Sequence, residues 1–426
     1  MISSSSSTKT VLDEFDVGVQ SECGKLDIVL MHRPGKELLC LSEHNLHQYL
    51  YDALPNINET HRSHDIFSQY LRDHGIHVLY LTDLLRETLV ASAEARHQLI
   101  NEIVDTQNQN ASVLQQWLLD RAPEQLAQDV IVGVACSQDE LGTSQHAQEL
   151  LRTVQPSKEY LIQSLPNLLF IRDGFSIIEK NVFIWKMNKS SRRNEPFLLR
   201  TIFQHHPQLS TSGLKVIEWQ TKKGENNNND GEMPTIEGGD VAYIGDGTVM
   251  IGCSERTNRA GIEAVTRTGL FRQIIAIDIP HNRCYMHLDT IISSVGNGAF
   301  TLYGPLADNM EVFTLEKKGD EVKWISHGCK VREALIKVLD NRDLVFYDAV
   351  DKETSLNEQR NCRYNVVVID RNHVVTYSGS DAKNGIVAQM TRNNACRVGE
   401  IPPQGLFEGG GGVHCMTNAL RRRSVN

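Results

Sequence analysis

Four stretches of the chain repeat one design, and that repetition limits the fold more than any other feature. Each is an apolar run, a polar or glycine turn, and a second apolar run. They cover 175–185 around Glu179-Lys180-Asn181, 241–251 around Gly245-Asp246-Gly247, 291–303 around Gly296-Asn297-Gly298, and 366–377 around Asp370-Arg371-Asn372. Apolar runs joined by turns of this kind read as β-hairpins. After each hairpin comes a helix-like stretch and then another β-rich run: 193–205 and 214–219, 257–267 and 273–279, 331–339 and 344–347, 385–392 and 396–401. A fifth copy starts the chain, with a strand at 26–31, an amphipathic stretch at 61–74 and a strand at 76–81. Its missing half is supplied by 412–420. The pattern predicts an α/β protein of five ββαβ units. Two architectures satisfy it: a ring closed by the last strand, which removes exposed sheet edges, and an open α/β sheet.

One region interrupts the rhythm. Over 83–157 there are no hairpins, while Leu85, Leu89, Ser92, Arg96, Leu99 and Ile103 recur at helical spacing and Val113, Leu114, Trp117 and Leu118 continue it. This reads as a helical insertion. The expected organisation is a disordered serine-rich tail over 1–18, a catalytic unit made of 19–82 and 158–426, and an inserted helical domain over 83–157. The asparagine run 226–229 reads as a surface loop, and 421–423 as a solvated basic tail.

Composition narrows the function. The 43 Lys+Arg against 53 Asp+Glu give a net charge of −10, which disfavours non-specific nucleic-acid binding. No apolar run approaches the roughly 18 residues a membrane span needs. The nine cysteines are odd in number, dispersed and without a CxxC pair, so they read as thiols of a reducing compartment. The expected location is the cytoplasm; the alternative reading is a short organellar presequence.

Polar residues cluster just ahead of the hairpins: Phe170-Ile171-Arg172-Asp173, Glu237-Gly238-Gly239-Asp240, His287-Leu288-Asp289 and, in the closing unit, Gly409 to Gly412 followed by Val413-His414-Cys415. In a ring these starts converge near the axis and gather acids, a histidine and a cysteine. A thiol becomes a nucleophile when nearby cations favour its thiolate. A histidine can protonate a leaving group and then activate water. Carboxylates beside a thiolate need a cationic ligand, and a planar guanidinium offers N–H donors in a fork that two carboxylates can grip. Such a grip would set its central carbon over the sulfur.

Plainer readings exist for each motif. Asp173 after an arginine suits a turn or ion pair, and Gly238-Gly239 suits a tight turn with left-handed backbone. The Gly409 to Gly412 run lacks the lysine of a P-loop. His281-x-x-Cys284-x-x-His287-x-Asp289 has metal-like spacing, but no second cluster completes it, and strand alternation would separate Cys284 from His287. By the same alternation His414 would point away from Cys415, which leaves His287 as the acid/base.

These motifs, together with Val29-Leu30-Met31-His32-Arg33-Pro34-Gly35, Ile251-Gly252-Cys253-Ser254-Glu255-Arg256-Thr257, Met286-His287-Leu288-Asp289-Thr290 and Gly412-Val413-His414-Cys415-Met416, resemble the arginine deiminase family of guanidine-modifying enzymes, in order from about Gly24 to Leu420. The resemblance implies a five-bladed α/β propeller with an inserted helical domain. It also implies hydrolysis of L-arginine to L-citrulline and ammonia, with no metal or organic cofactor. It makes Cys415 the nucleophile that forms a covalent thiouronium and His287 the acid and base. Asp173 and Asp289 would hold the guanidinium nitrogens, and Glu237 would orient the guanidinium and His287. Arg192 and Arg256 would clamp the substrate carboxylate, and Asn167 would line its α-amino end. The family forms dimers and larger assemblies, so a homo-oligomer is expected.

The chain departs from the family at Gly410, where bacterial members often carry an arginine that reaches the substrate. A loop of Glu408 and four glycines is expected to be mobile there, with consequences for affinity or gating. Two other functions fit part of the pattern: an amidinotransferase or other guanidine hydrolase on the same fold, and a non-catalytic arginine-binding module, which would need neither Cys415 nor His287.

Overall fold

A computed structural model describes residues 11–104, 110–153, 160–217, 219, 233–296 and 298–425. Five sheets share one plan: two antiparallel strands, then a third parallel to the second after a helical crossover. Phe175–Ile178 and Asn181–Ile184 pair antiparallel, and Lys215–Ile217 joins parallel after the helix Glu195–His205. Val241–Gly245, Thr248–Cys253 and Gln273–Asp278 repeat this around Arg259–Arg267. Ile292–Gly296, Ala299–Leu302 and Val345–Tyr347 do so around Val331–Val338. Val367–Asp370, His373–Tyr377 and Arg397–Ile401 do so around Ile386–Thr391. The hairpin turns carry left-handed residues suited to them, Glu179 (φ 56°), Asp246 (φ 48°) and Asn372 (φ 54°).

The fifth sheet joins the two ends of the described chain. Asn418–Arg422 pairs antiparallel with Leu26–Met31, which pairs parallel with His77–Tyr80 after the helix Ile57–Asp73. Asn56 caps that helix by accepting the N–H groups of Asn58 and Glu59. Neighbouring sheets touch in sequence. Asn418–Arg422 packs on Phe175–Ile178, the turn at Ile171–Gly174 on that at Gly238–Asp240, and the latter on Leu288–Thr290. Ile292–Gly296 packs on Val367–Asp370, and Val367–Asp370 on Leu26–Met31. The circle is closed, so the ring rather than the open sheet describes this chain.

Two expectations at the chain ends are corrected. Residues 421–423 are not a solvated tail: Arg421 and Arg423 both bond Asp27, and Arg422 is buried, donating to the Gly24 carbonyl at 2.8 Å. Of the expected tail over 1–18, the first ten residues lie outside those described. The remainder is ordered: Val11–Glu14 form a helical turn, Val17 is buried, and Gly18–Val19 adds a parallel edge to Asn418–Arg422. The expected loop at 226–229 also lies outside the described residues.

The third crossover contains a hairpin that the repeat pattern did not predict. Val312–Lys318 and Glu321–Ser326 turn back at Gly319 and extend the Val241–Cys253 sheet to five strands through Gln273–Asp278. Most of the described residues between 81 and 153 are helical, in Leu81–Ala91, Ala93–Ile103, Ala111–Leu119, Pro123–Val132, Gln138–Leu141 and Gln145–Thr153, with one short strand at Val134–Ala135. The period expected to run through Ser92 breaks there, because Ser92 caps the second helix by accepting from Ala95 N–H. Leu85, Leu89, Leu99, Trp117 and Val130 share one apolar core with Leu26–Met31 and Phe175. No helix among the described residues is long and apolar enough to cross a membrane.

Candidate active site

The polar clusters fall on short 3₁₀ turns that lead into the first strand of each sheet: Ile171–Gly174, Gly238–Asp240 and Leu288–Thr290. Because the sheets surround one axis, the turns crowd together there. Gly238 and Gly239 make the crowding feasible, and neither adopts the left-handed backbone a bare Gly-Gly turn suggests. A Cβ on Gly239 would lie 2.8 Å from the His287 ring and 2.9 Å from Asp173 Oδ1, and one on Gly238 would lie 2.1 Å from the Arg172 carbonyl. Asp240 ties two turns together, accepting from Leu288 N–H at 2.9 Å and from the Ser254 hydroxyl at 2.7 Å. Burial pushes its carboxyl up to about 7.

One side of the resulting pocket is a network of ions. His287 Nε2 lies 2.8 Å from Glu237 Oε2, and its Nδ1 lies 3.7 Å from Asp173 Oδ1. Burial opposes a charge on His287. The Asp173 carboxylate, the hydrogen bond to Glu237 and Asp240 outweigh it and lift the imidazole to about 9. Burial likewise works against the Glu237 carboxylate, but Arg256 and His287 hold it well below the usual range. Arg256 donates to Glu237 Oε2 (3.2 Å), and its Nε is buried with no hydrogen bond, 3.7 Å from Glu255 Oε1. Arg192 donates to Asp173 Oδ2 (2.5 Å), to both oxygens of Glu195 (2.8 Å each) and to the Asn167 and Phe170 carbonyls. Asn167 in turn donates to the Tyr49 carbonyl at 2.6 Å.

The other side holds the thiol. Cys415 is buried, with Sγ 3.5 Å from Asp289 Oδ2 and 3.2 Å from Asn365 Nδ2. Burial pushes the thiol well up, and the carboxylates of Asp289 and Asp173 add to the shift. Asp289 is itself drawn down despite burial, chiefly by its hydrogen bond with His414. His414 Nδ1 sits 2.9 Å from Asp289 Oδ2, while Nε2 faces Arg172 Nη2 at 2.5 Å. Arg172 reaches on to Glu22 at 2.9 Å.

Asp173, His287, Cys415, Asn167, Arg192 and Arg256 line one pocket. Glu237 is buried behind His287 and Arg256, and Asp289 touches Cys415 from an adjoining cavity that it lines with Glu22 and His414. Several expectations change. Residues 410–417 precede the strand rather than belonging to it, so strand alternation does not apply, and His414 and Cys415 both meet Asp289. Cys284 and His287 likewise lie outside any strand. The glycine run is packed rather than loose. Added Cβ atoms at Gly409 and Gly411 would meet the Phe170 ring at 2.5 and 2.3 Å, and Gly410 has φ +80° with Met286 against it. A side chain at 410 would be strained there. Arg192 spends most of its donors on Glu195 and Asp173, while Arg256 commits one terminal nitrogen to Glu237 and sets the other 3.5 Å from Met286 Sδ. Glu195, Asn365, Arg172, His414 and Glu22 did not figure among the expected site residues. Only Arg172 and His414 carried a signal, each adjoining an expected site residue.

A closed ring of five such sheets, with a cysteine, a histidine and carboxylates at its axis, is the pentein fold of guanidine-modifying enzymes. The chain shares it with the amidinotransferase SxtG of Microseira wollei from a saxitoxin biosynthetic pathway (TM-score 0.56, 12% identity, 96% of this chain and 98% of that one). The family model for arginine deiminase matches residues 47–422. The arginine deiminase of Bacillus cytotoxicus is 34% identical over 96% of this chain and 99% of its own length. Arginine deiminase 1 of Staphylococcus epidermidis is 31% identical over the same shares. The chain belongs to the arginine deiminase family.

Proposed function

We propose that the chain hydrolyses L-arginine to L-citrulline and ammonia through a covalent adduct on Cys415. The observation that carries this reading is the shared pocket: a buried thiol facing a protonated imidazole across carboxylates suited to a guanidinium. Asp173, Asp289 and Glu237 take the guanidinium, whose charge replaces the cation that the thiol lacks. The thiol proton passes toward Asp289, and the sulfur attacks the guanidinium carbon. His287, protonated because its carboxylate neighbours outweigh burial, gives its proton to the departing nitrogen. Ammonia leaves and an S-linked thiouronium remains. The neutral imidazole then removes a proton from water as the oxygen adds to the same carbon. The C–S bond breaks, citrulline is released and the sulfur recovers its proton. Arg256 and Arg192 hold the substrate carboxylate, and Asn167 lines the α-amino end.

Incubation with L-arginine alone tests this. Citrulline and ammonia in equal amounts are expected. A requirement for an added amine, with a new guanidine as product, would overturn it in favour of an amidinotransferase. The same reading makes the protein a cytoplasmic homo-oligomer; light scattering during gel filtration and fractionation of its cell check those two points.

A further inference from the structure

Asn365 stands in the fourth repeat where Asp173 and Asp289 stand in the first and third, just ahead of the leading strand, here Val367–Asp370. Its side chain is fully buried. Nδ2 donates to Cys415 Sγ (3.2 Å) and to the Asp289 carbonyl (3.0 Å). Oδ1 accepts from the backbone N–H of His414 (2.8 Å) and of Cys415 (3.3 Å). These four contacts use the whole hydrogen-bonding capacity of an amide. They also fix its orientation, since a flipped amide would set N–H against N–H and oxygen against carbonyl. The backbone fits tightly around it: a Cβ at Gly412 would lie 2.4 Å from Asn365 Oδ1.

We propose that Asn365 is a further catalytic residue, the neutral donor that bonds the Cys415 sulfur whenever that sulfur carries negative charge. The proposal rests on Cys415 being the nucleophile. Negative charge collects on the sulfur twice, as the thiol ionises for attack and as the C–S bond breaks at the end. A fixed N–H aimed at it favours both moments, as oxyanion donors do for oxygen. A cation in the same place would compete with the substrate for Asp289, and an amide does not. The acceptor half of Asn365 holds the backbone of the nucleophile turn, so the donor and the sulfur move as one piece.

Two variants probe these halves. N365D keeps the acceptor oxygen and replaces the donor with a titrating one. N365S removes the amide N–H and the amide oxygen together, leaves only a shorter hydroxyl, and adds nothing that titrates. The titratable groups facing this spot are Cys415, Asp289, Asp173, His287, His414, Cys362 and Tyr377, and all are common to wild type and variants, so the ratio of variant to wild-type kcat is the quantity to follow. For N365D that ratio falls with rising pH, by about 10- to 100-fold, because the protonated carboxyl can donate to sulfur and the ionised one repels it. For N365S, kcat is lowered by about 10-fold or more with KM within about threefold of wild type. Alkylation of Cys415 by iodoacetamide at fixed pH also slows in N365S, a readout independent of turnover. A ratio for N365D flat in pH, or an N365S enzyme with wild-type kcat and alkylation rate, overturns the proposal. Should N365D lose its cooperative melt, N365S decides alone. Wild-type enzyme that makes no citrulline from arginine would instead defeat the reading of the site itself.

Discussion

The two sides of the axial pocket treat charge in opposite ways. On one side, Asp173, Glu195 and Glu237 are answered by Arg192, Arg256 and His287, so the ions balance within the protein. On the other, the Cys415 sulfur faces an anionic Asp289 and a neutral amide, and no cation among the described residues bonds it. The first side is assembled before any ligand arrives. On the second, burial and the Asp289 and Asp173 carboxylates push the thiol toward its protonated form. Under the proposed mechanism the difference teaches that selectivity is built into activation: a neutral amide or urea would bring nothing to ionise the sulfur, whereas a guanidinium would supply the missing charge.

This contrast can be broken in graded steps. The largest effect belongs to Cys415→Ala, which should lower kcat by about 10⁴-fold or more while calorimetry still detects arginine. Activity within about 100-fold of wild type would mean the thiol side is not the reacting side. Next is Arg192→Ala. It leaves Asp173 and Glu195 buried without their cation and should cost about 3–5 kcal/mol of stability. An unchanged Tm would show that the charged side does not balance itself.

Arg256→Ala should sharpen the division within the charged side. The loss in kcat/KM should be about 10- to 100-fold larger for L-arginine than for its decarboxylated analogue, if the Arg256 guanidinium meets the substrate carboxylate. Equal losses would assign Arg256 to Glu237 alone. The smallest effect is on pH dependence. His287 is raised in the fold to about 9, above its unfolded value near 6.5, so its stabilising contribution is full below about 6.5 and is lost as the pH climbs through about 9. In the folded enzyme the proposed general acid is lost only as the pH passes through about 9, so kcat should fall there. Glu237 and Asp289 are held below their unfolded values, so their contribution is full above about pH 4 and fades on acidification. Melting temperature against pH and the pH–rate profile check both limbs; a rate still rising above about pH 10 would contradict the assignment to His287.

Much of this was legible in the sequence because it rests on local patterns. The hairpins announced themselves by apolar runs around Glu179-Lys180-Asn181 and Asp370-Arg371-Asn372, and the lone strand at Leu26–Met31 asked for a partner from the far end. Function was legible because acids, histidine and cysteine carry their chemistry in their side chains. Asn365 was not, since an amide gains a role here only from what lies 3.2 Å away. The hairpin Val312–Lys318 and Glu321–Ser326 was hidden by its outer half, where Glu316, Lys317, Lys318 and Lys323 leave little apolar alternation. Arg422 looked like a solvated tail residue. Burial lowers its guanidinium to about 10, although Glu22 opposes the shift, and only the closed ring brings those groups together.

The strand that shuts the ring, Asn418–Arg422, follows every other described element, and the proposed nucleophile, Cys415, stands three residues ahead of it. On a ribosome, the carboxylates, arginines and His287 emerge long before the sulfur does. A nascent chain that lacks Cys415 therefore carries the proposed guanidinium-binding residues without the proposed nucleophile. Pairing across almost the whole chain is slow to form and leaves Leu26–Met31 an open edge until it does. Chemical competence and topological completion arrive together, in the last stretch of the described chain to be translated.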